Sequence, residues 1–82
     1  MANMKAYLLI EVAPEKPRGV VASLEGLEGV ETAEVITGPY DIMAVLRGEN
    51  LPAVMQIVTD KVHTLEGIVR TVTCVAVPGH EG

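Results

Sequence analysis

The sequence predicts an α+β domain in which six elements follow the order β-α-β-β-α-β. One observation is an internal repeat: the Leu-Glu-Gly-Val of residues 27–30 returns as the Leu-Glu-Gly-Ile of residues 65–68, close to half of the 82-residue chain further on. A second is that each copy follows a stretch of helical spacing and precedes a β-branched stretch. Repeats like this mark one supersecondary unit used twice. A doubled β-α-β unit is the ferredoxin-like plan, which has an antiparallel four-stranded sheet.

The first half of the chain predicts a strand, a helix and a second strand. Apolar residues alternate with others over residues 4–12, which indicates a strand with one apolar face. Pro17 suits the first turn of a helix, and apolar side chains then recur at helical spacing over residues 17–25. Residues 30–37 are rich in β-branched side chains and therefore predict the second strand.

The second half predicts the same three elements again. Residues 40–47 are apolar on both faces, as expected of a strand that is covered on both sides. Asn50 is a natural helix N-cap, and the helical spacing that follows it continues to Val62. Residues 69–77, rich in Val and Thr, predict the last strand. In a sheet of order 4-1-3-2 the first and third strands are central, and these two are the most apolar here.

Composition predicts one domain that associates with copies of itself. The domain spans residues 1–82, with a core over 4–77 and a loose tail at 78–82. Apolar residues make up 49% of the chain and the mean hydropathy is +0.35, more than a small core can hide. Tyr7 and Leu9 fall on the sheet face away from the helices. We therefore expect two sheets to pack face to face in a symmetric dimer, a dimeric α/β barrel.

Charge and cysteine content predict a cytoplasmic protein that contacts neither membrane nor nucleic acid. No apolar run reaches the roughly 18 residues of a membrane span, and the N-terminus lacks the basic start of a signal peptide. Cys74 is the only cysteine, so an internal disulfide is excluded. The net charge is −5 and the six Lys and Arg residues are scattered, which argues against direct binding to phosphate backbones.

The connection between the second and third predicted strands carries the candidate chemistry. Gly38 and Pro39 suit the two central positions of a two-residue hairpin turn. The turn would place Tyr40 and Asp41 at the end of the sheet on opposite faces. There Asp41 could accept hydrogen bonds from an ammonium group, and Tyr40 offers a flat wall and a hydroxyl. Alternatively, Asp41 caps the hairpin and Tyr40 packs, and local chemistry alone slightly favours this structural role.

Two segments resemble the effector-binding (RAM) domain of the Lrp/AsnC family of transcriptional regulators. Residues 35–41 read Val-Ile-Thr-Gly-Pro-Tyr-Asp, and residues 65–73 read Leu-Glu-Gly-Ile-Val-Arg-Thr-Val-Thr. The family typically shows Val-x-Gly-x-Tyr-Asp at this hairpin and a Gly-Val-x-x-Thr-x-Thr/Ser-like last strand. The resemblance covers about residues 4–77. Usual members carry a helix-turn-helix before this domain, for which we expect no room here, so the chain resembles a stand-alone effector domain.

The resemblance implies a non-enzymatic module of transcription regulation, without cofactor or metal, that binds an amino acid between subunits. It also implies a homo-oligomer of dimers, such as an octamer or decamer. The positions that match the family's motifs give the expected effector-binding residues: Gly38, Tyr40 and Asp41 from the hairpin, followed by Gly67, Thr71 and Thr73. An α-ammonium group suits the carboxylate of Asp41, and an α-carboxylate suits hydroxyls or backbone N–H groups.

Other functions fit the same fold. A dimeric α/β-barrel monooxygenase shares the element order, but it needs polar groups in an apolar cavity and this chain has no Trp or Phe. An ACT-like regulatory module also binds amino acids, and residues 15–19 faintly imitate its glycine-containing turn. A third alternative is an assembly partner that joins full-length Lrp-type regulators through matching sheet faces. His63, His80 and Cys74 lack the short spacing of a zinc site, so no metal centre is expected.

Overall fold

The computed structural model describes residues 4–14 and 17–76, and its elements follow the predicted order. They are β1 (Met4–Val12), α1 (Pro17–Glu25), β2 (Val30–Val35), β3 (Ile42–Gly48), α2 (Leu51–Ile57), a π-helical turn (Val58–Val62) and β4 (Ile68–Val75). The predicted bounds of the first strand and first helix are confirmed. The second strand ends earlier and the third begins later than predicted, so the connection between them is longer than the predicted two residues. The predicted tail, 78–82, lies outside the described residues.

The four strands form one antiparallel sheet of order β2-β3-β1-β4, which confirms the ferredoxin-like topology. Strands β1 and β3 are central, which confirms the prediction made from their being the two most apolar strands. Leu8 illustrates the register, since it lies opposite Ala44 of β3 on one side and Thr73 of β4 on the other. Side chains that lie directly opposite each other share a face, so this register assigns residues to faces.

The core lies between the sheet and the two helices and consists of aliphatic side chains. Its buried members are Ala6, Leu8, Ile10, Val12, Val20, Leu24, Ala33, Ile42, Ala44, Leu46, Val54, Val58 and Val62. Burying one large aliphatic side chain contributes about 1.5–3 kcal/mol to folding. No polar or charged side chain is buried in the described ranges, so the core offers no polar site.

The second helix begins at its predicted cap and ends in a wider turn. Asn50 Oδ1 accepts a hydrogen bond from the backbone N–H of Ala53 at 2.9 Å, which confirms the N-cap. The helix was predicted to run regularly to Val62, but its end is π-helical, with His63 N donating to Val58 O at 3.0 Å. Both Val58 and Val62 remain buried against the sheet through this wider turn.

One face of the sheet is covered by the helices, and the other, the open face, is not. The open face carries six apolar or weakly polar side chains near its middle: Tyr7, Leu9, Met43, Val45, Val72 and Cys74. None of the six is buried in the single chain. Charged residues border them: Lys5, Glu11, Glu34, Arg47 and Arg70. In the part of the chain that the structure describes, no helix has the length and apolar character to cross a membrane.

Candidate functional site

The β2–β3 connection is a six-residue loop, residues 36–41, and the predicted two-residue turn is wrong. Ile36 N donates to Asp41 O at 2.8 Å and closes the base of the loop. Gly38 has a φ of +146°, a backbone conformation that favours glycine. A Cβ built at Gly38 would meet nothing within 4 Å, so the conformation and not the space favours glycine.

Asp41 is held to the end of β1 by its backbone and by its side chain. Its N–H donates to Ile10 O at 2.9 Å, and its Oδ2 accepts from the backbone N–H of Val12 at 3.0 Å. The pairing of β1 with β3 ends at Ile10 and Ile42. Beyond this point the Asp41 carboxylate, and not a backbone carbonyl of β3, accepts from the N–H of Val12. The other oxygen, Oδ1, has no hydrogen-bond partner within residues 4–14 and 17–76 and can accept from another group.

Tyr40 lies against Arg70, a residue that the sequence did not single out. Arg70 Nη2 donates to the Tyr40 hydroxyl oxygen at 3.2 Å, and its Cζ is 5.4 Å from the centre of the tyrosine ring. Arg70 also pairs with Glu11, which lies opposite it across β1 and β4, with 3.5 Å between Nε and Oε1. Antiparallel pairing of the first and last predicted strands places the start of the last strand, and so this arginine, at the end of the first strand.

Gly67 joins the same end of the sheet through its backbone. Its φ is +93°, which favours glycine, and its carbonyl accepts from Ala13 N at 2.8 Å, next to the Val12 N–H that Asp41 binds. The structure therefore brings together five residues that we call the strand-end cluster: Glu11, Tyr40, Asp41, Gly67 and Arg70. Three of them, Tyr40, Asp41 and Gly67, belong to the predicted site.

The two predicted threonines face the other side of the sheet. Thr71 lies opposite Ile10 and Thr73 opposite Leu8, and both partners are buried beneath the helices. Thr71 Oγ1 is 3.0 Å from Nε2 of His63, which follows the π-helical turn. The predicted residues thus form two groups within one chain: a loop-centred group at the end of the sheet and a threonine pair on the helix side of β4.

The strand-end cluster is open to solvent in the single chain. The side chains of Arg70 and Glu11 are 61% and 43% exposed. Among the described residues, depressions of about 190 and 160 Å³ lie beside the helices, and none of their lining residues belongs to the cluster. Among the residues described, no three His, Cys, Asp or Glu side chains are grouped to hold a metal ion.

The structure is thus a ferredoxin-like domain with one open apolar face and a polar cluster at a strand end. Residues 5–78 match the profile of the Lrp/AsnC ligand binding domain. The chain therefore belongs to this family.

Similar proteins are transcriptional regulators or share the fold. The uncharacterized HTH-type transcriptional regulator YugG of Bacillus subtilis is 31% identical over 74 residues, which cover 87% of this chain and 45% of that protein. TTHA0845 of Thermus thermophilus has a TM-score of 0.88 at 26% identity, with 96% of this chain and 99% of that chain covered.

A third similarity is to a regulator solved with an amino acid. The transcriptional regulator NMB0573 of Neisseria meningitidis, in complex with L-Met, has a TM-score of 0.81 at 16% identity and shares the fold. The match covers 96% of this chain and 53% of that one. The chain spans about half the length of the HTH-type regulators that it matches.

Proposed function

We propose that this chain is a non-enzymatic regulatory module that binds a free amino acid at the strand-end cluster. One observation carries the proposal: a carboxylate, Asp41, bonds the end of β1 at Val12, and a guanidinium, Arg70, contacts Tyr40 and the neighbouring Glu11, so groups of both charges lie at one end of the sheet. An amino acid carries both an ammonium and a carboxylate group. Charged hydrogen bonds of both signs would therefore hold its two ends.

The open face supports binding between subunits. Its apolar side chains are continuous across β3, β1 and β4 and are bordered by charges of both signs. Exposed apolar patches of this kind mark interfaces, and two sheets that pack face to face would cover it. Packing would bring a second copy close to Glu11 and Arg70, which lie at the border of this face.

The remaining predicted residues enter the proposal as contributions from neighbouring subunits. Gly38 lies in the loop, whereas Thr71 and Thr73 lie on the helix side of β4. In an oligomer of dimers, the loop of one subunit would meet the β4 edge of another. Hydroxyl groups there would add donors and acceptors for the amino acid.

The relatives support the regulatory part of the proposal. The matched proteins are HTH-type transcriptional regulators, and a regulator with the same fold was solved with L-Met. A ligand that binds one assembly state better than another shifts the population toward it. We infer that the amino acid acts in this way on the oligomer.

The test is a thermal-shift screen of the twenty amino acids with the wild type, Asp41→Asn and Asp60→Asn. A ligand at about 100 times its dissociation constant stabilises the native state by roughly 2.7 kcal/mol, which gives a clear shift. Asp41→Asn keeps an oxygen for Val12 N but loses the charge, so it should lower affinity. Asp60→Asn makes the same change on the exposed π-helical turn, away from the open face, and should bind as the wild type does. No shift with any amino acid contradicts the proposal.

A second candidate function is assembly with full-length regulators of the family. It is favoured by the open face, because a domain that matches one part of an HTH-type regulator could pair with the same part of that regulator. Mixing the chain with YugG and recording native mass spectra would test this. We expect mixed dimers with the wild type and few with Leu9→Lys, which puts a charge on the open face. Homodimers alone contradict it.

A further inference from the structure

The guanidinium of Arg70 is oriented by one neighbour and weakly held by another. The Tyr40 hydroxyl accepts from Nη2 at 3.2 Å, and the ring lies 5.4 Å from Cζ. Two contacts with one residue fix the direction of the planar group. The second partner, Glu11, is 3.5 Å from Nε, and both side chains are largely exposed. An exposed pair with this separation is weak.

Donors remain free at this pair. Because the Tyr40 oxygen accepts from Arg70, its own O–H can donate elsewhere, and no acceptor for it lies within the described ranges. Arginine carries five N–H donors, and only Nε and Nη2 have partners among the described residues. A charged donor fork beside a neutral O–H donor suits a carboxylate, whose two oxygens accept in one plane.

We propose that Arg70 and Tyr40 bind the carboxylate of the effector and that Glu11 occupies Arg70 until the effector displaces it. The inference rests on the proposed function and deepens it by assigning the two ends of the ligand. Asp41 Oδ1 is left for the ammonium group. Glu11 acts as an internal competitor, so it lowers the apparent affinity for any carboxylate ligand.

The chain supplies a matched control pair at another place on the open face. Arg47 Nε is 2.8 Å from Glu31 Oε1, and these side chains are 42% and 47% exposed. The pair has the same chemistry and similar exposure, but it joins β3 to β2 near the end of β3 opposite to the strand-end cluster. Arg47→Gln and Glu31→Gln therefore make the same charge changes as Arg70→Gln and Glu11→Gln outside the cluster.

The experiment measures the affinity of the twenty L-amino acids, and of the carboxamide of each that binds, by thermal shift and calorimetry. We expect Arg70→Gln to weaken amino-acid binding about tenfold or more, the loss typical of a charged hydrogen bond. Glu11→Gln should strengthen it several-fold. The carboxamides should respond little to Arg70→Gln, and the control pair should change nothing. The midpoints of the ligand-free variants establish that each one folds.

The outcomes separate this inference from the proposed function. Amino acids that bind the wild type and Arg70→Gln equally but bind Asp41→Asn more weakly overturn the inference and leave the proposed function standing. Amino acids that bind Glu11→Gln more tightly than the wild type support it, because removing the competitor frees Arg70 for the carboxylate. If no amino acid binds either the wild type or Glu11→Gln, the proposed function fails and the inference with it. Tighter binding by Glu31→Gln as well as Glu11→Gln would indicate a general charge effect and overturn the competitor role.

Discussion

The carboxylate of Asp41 bonds the backbone N–H of Val12 at 3.0 Å, across 29 positions of sequence. It fixes the loop of residues 36–41 to the end of β1, where the β3 backbone no longer supplies the partner. The same carboxylate is the proposed partner of the effector's ammonium group. The conformation of the loop and the proposed recognition of the ligand's ammonium group therefore depend on one side chain. A useful variant must change one of these and keep the other.

Asp41→Ala should destabilise the fold, and Asp41→Asn should do so much less. Alanine leaves Val12 N–H without its acceptor, and a partly buried hydrogen bond to a charged group is worth about 1–2 kcal/mol at this exposure. Asparagine offers a neutral oxygen in the same place. Urea unfolding curves of both variants and the wild type measure the difference. Equal stability of Asp41→Ala and the wild type would show that the bond contributes nothing.

Gly29→Ala should be destabilising, whereas Gly19→Ala should be neutral or stabilising. Gly29 has a φ of +97°, and an added Cβ would collide with the Ile57 side chain. Strain and overpacking together cost roughly 1–3 kcal/mol. Gly19 lies in α1 with nothing within 4 Å of its added Cβ, where alanine is favoured over glycine by about 0.5–1 kcal/mol. Thermal midpoints that move in the same direction in both variants would contradict this.

Asn50→Ala should remove the cap of α2. The side-chain oxygen accepts from Ala53 N at 2.9 Å, and alanine in place of such a cap costs about 1 kcal/mol. Asn50→Asp keeps the acceptor and should retain most of the stability. Chemical denaturation monitored by circular dichroism measures both. The prediction fails if the two variants lose the same amount.

Leu9→Lys should convert the expected dimer to a monomer that remains folded. Leu9 lies in the open face and is only partly buried in the single chain, so a charge there opposes sheet packing more than folding. Ala22→Lys, on the exposed side of α1, adds the same charge away from the sheet. Analytical ultracentrifugation gives the mass of each variant. A Leu9→Lys protein with the wild-type mass would place the subunit interface elsewhere.

Much of the fold could be predicted from local patterns. Alternation over Met4–Val12 defined β1, and Asn50 followed by valines at helical spacing defined α2. The repeat is structural as well: Gly29 and Gly67 both have positive φ and begin equivalent strands. The Gly29 carbonyl accepts from Arg47 N near the end of β3, the strand that pairs with β2. The Gly67 carbonyl accepts from Ala13 N just after β1, the strand that pairs with β4.

The predictions that failed or stayed incomplete concern partners distant in sequence. Gly38 and Pro39 fit a two-residue turn, but the strands end earlier, and Asp41 at the end of the longer loop bonds Val12 N–H, a residue 29 positions away. Arg70 meets Tyr40 across 30 positions, a contact that no local pattern contains. The register of β4 shifts near Val69, and a shift of one residue exchanges the two faces of a strand. The faces of Thr71 and Thr73 could therefore not be read from alternation.

The position of Cys74 gives the wild-type chain its own reporter of assembly. It is the only thiol in the sequence, it is exposed, and it lies opposite Tyr7 in the open face. If sheets pack there, the rate at which a thiol reagent labels the protein should fall as concentration rises and recover in Leu9→Lys. A rate independent of concentration would mean that this face stays accessible. A rate that depends on concentration would allow subunit exchange to be followed in real time through the wild-type thiol alone.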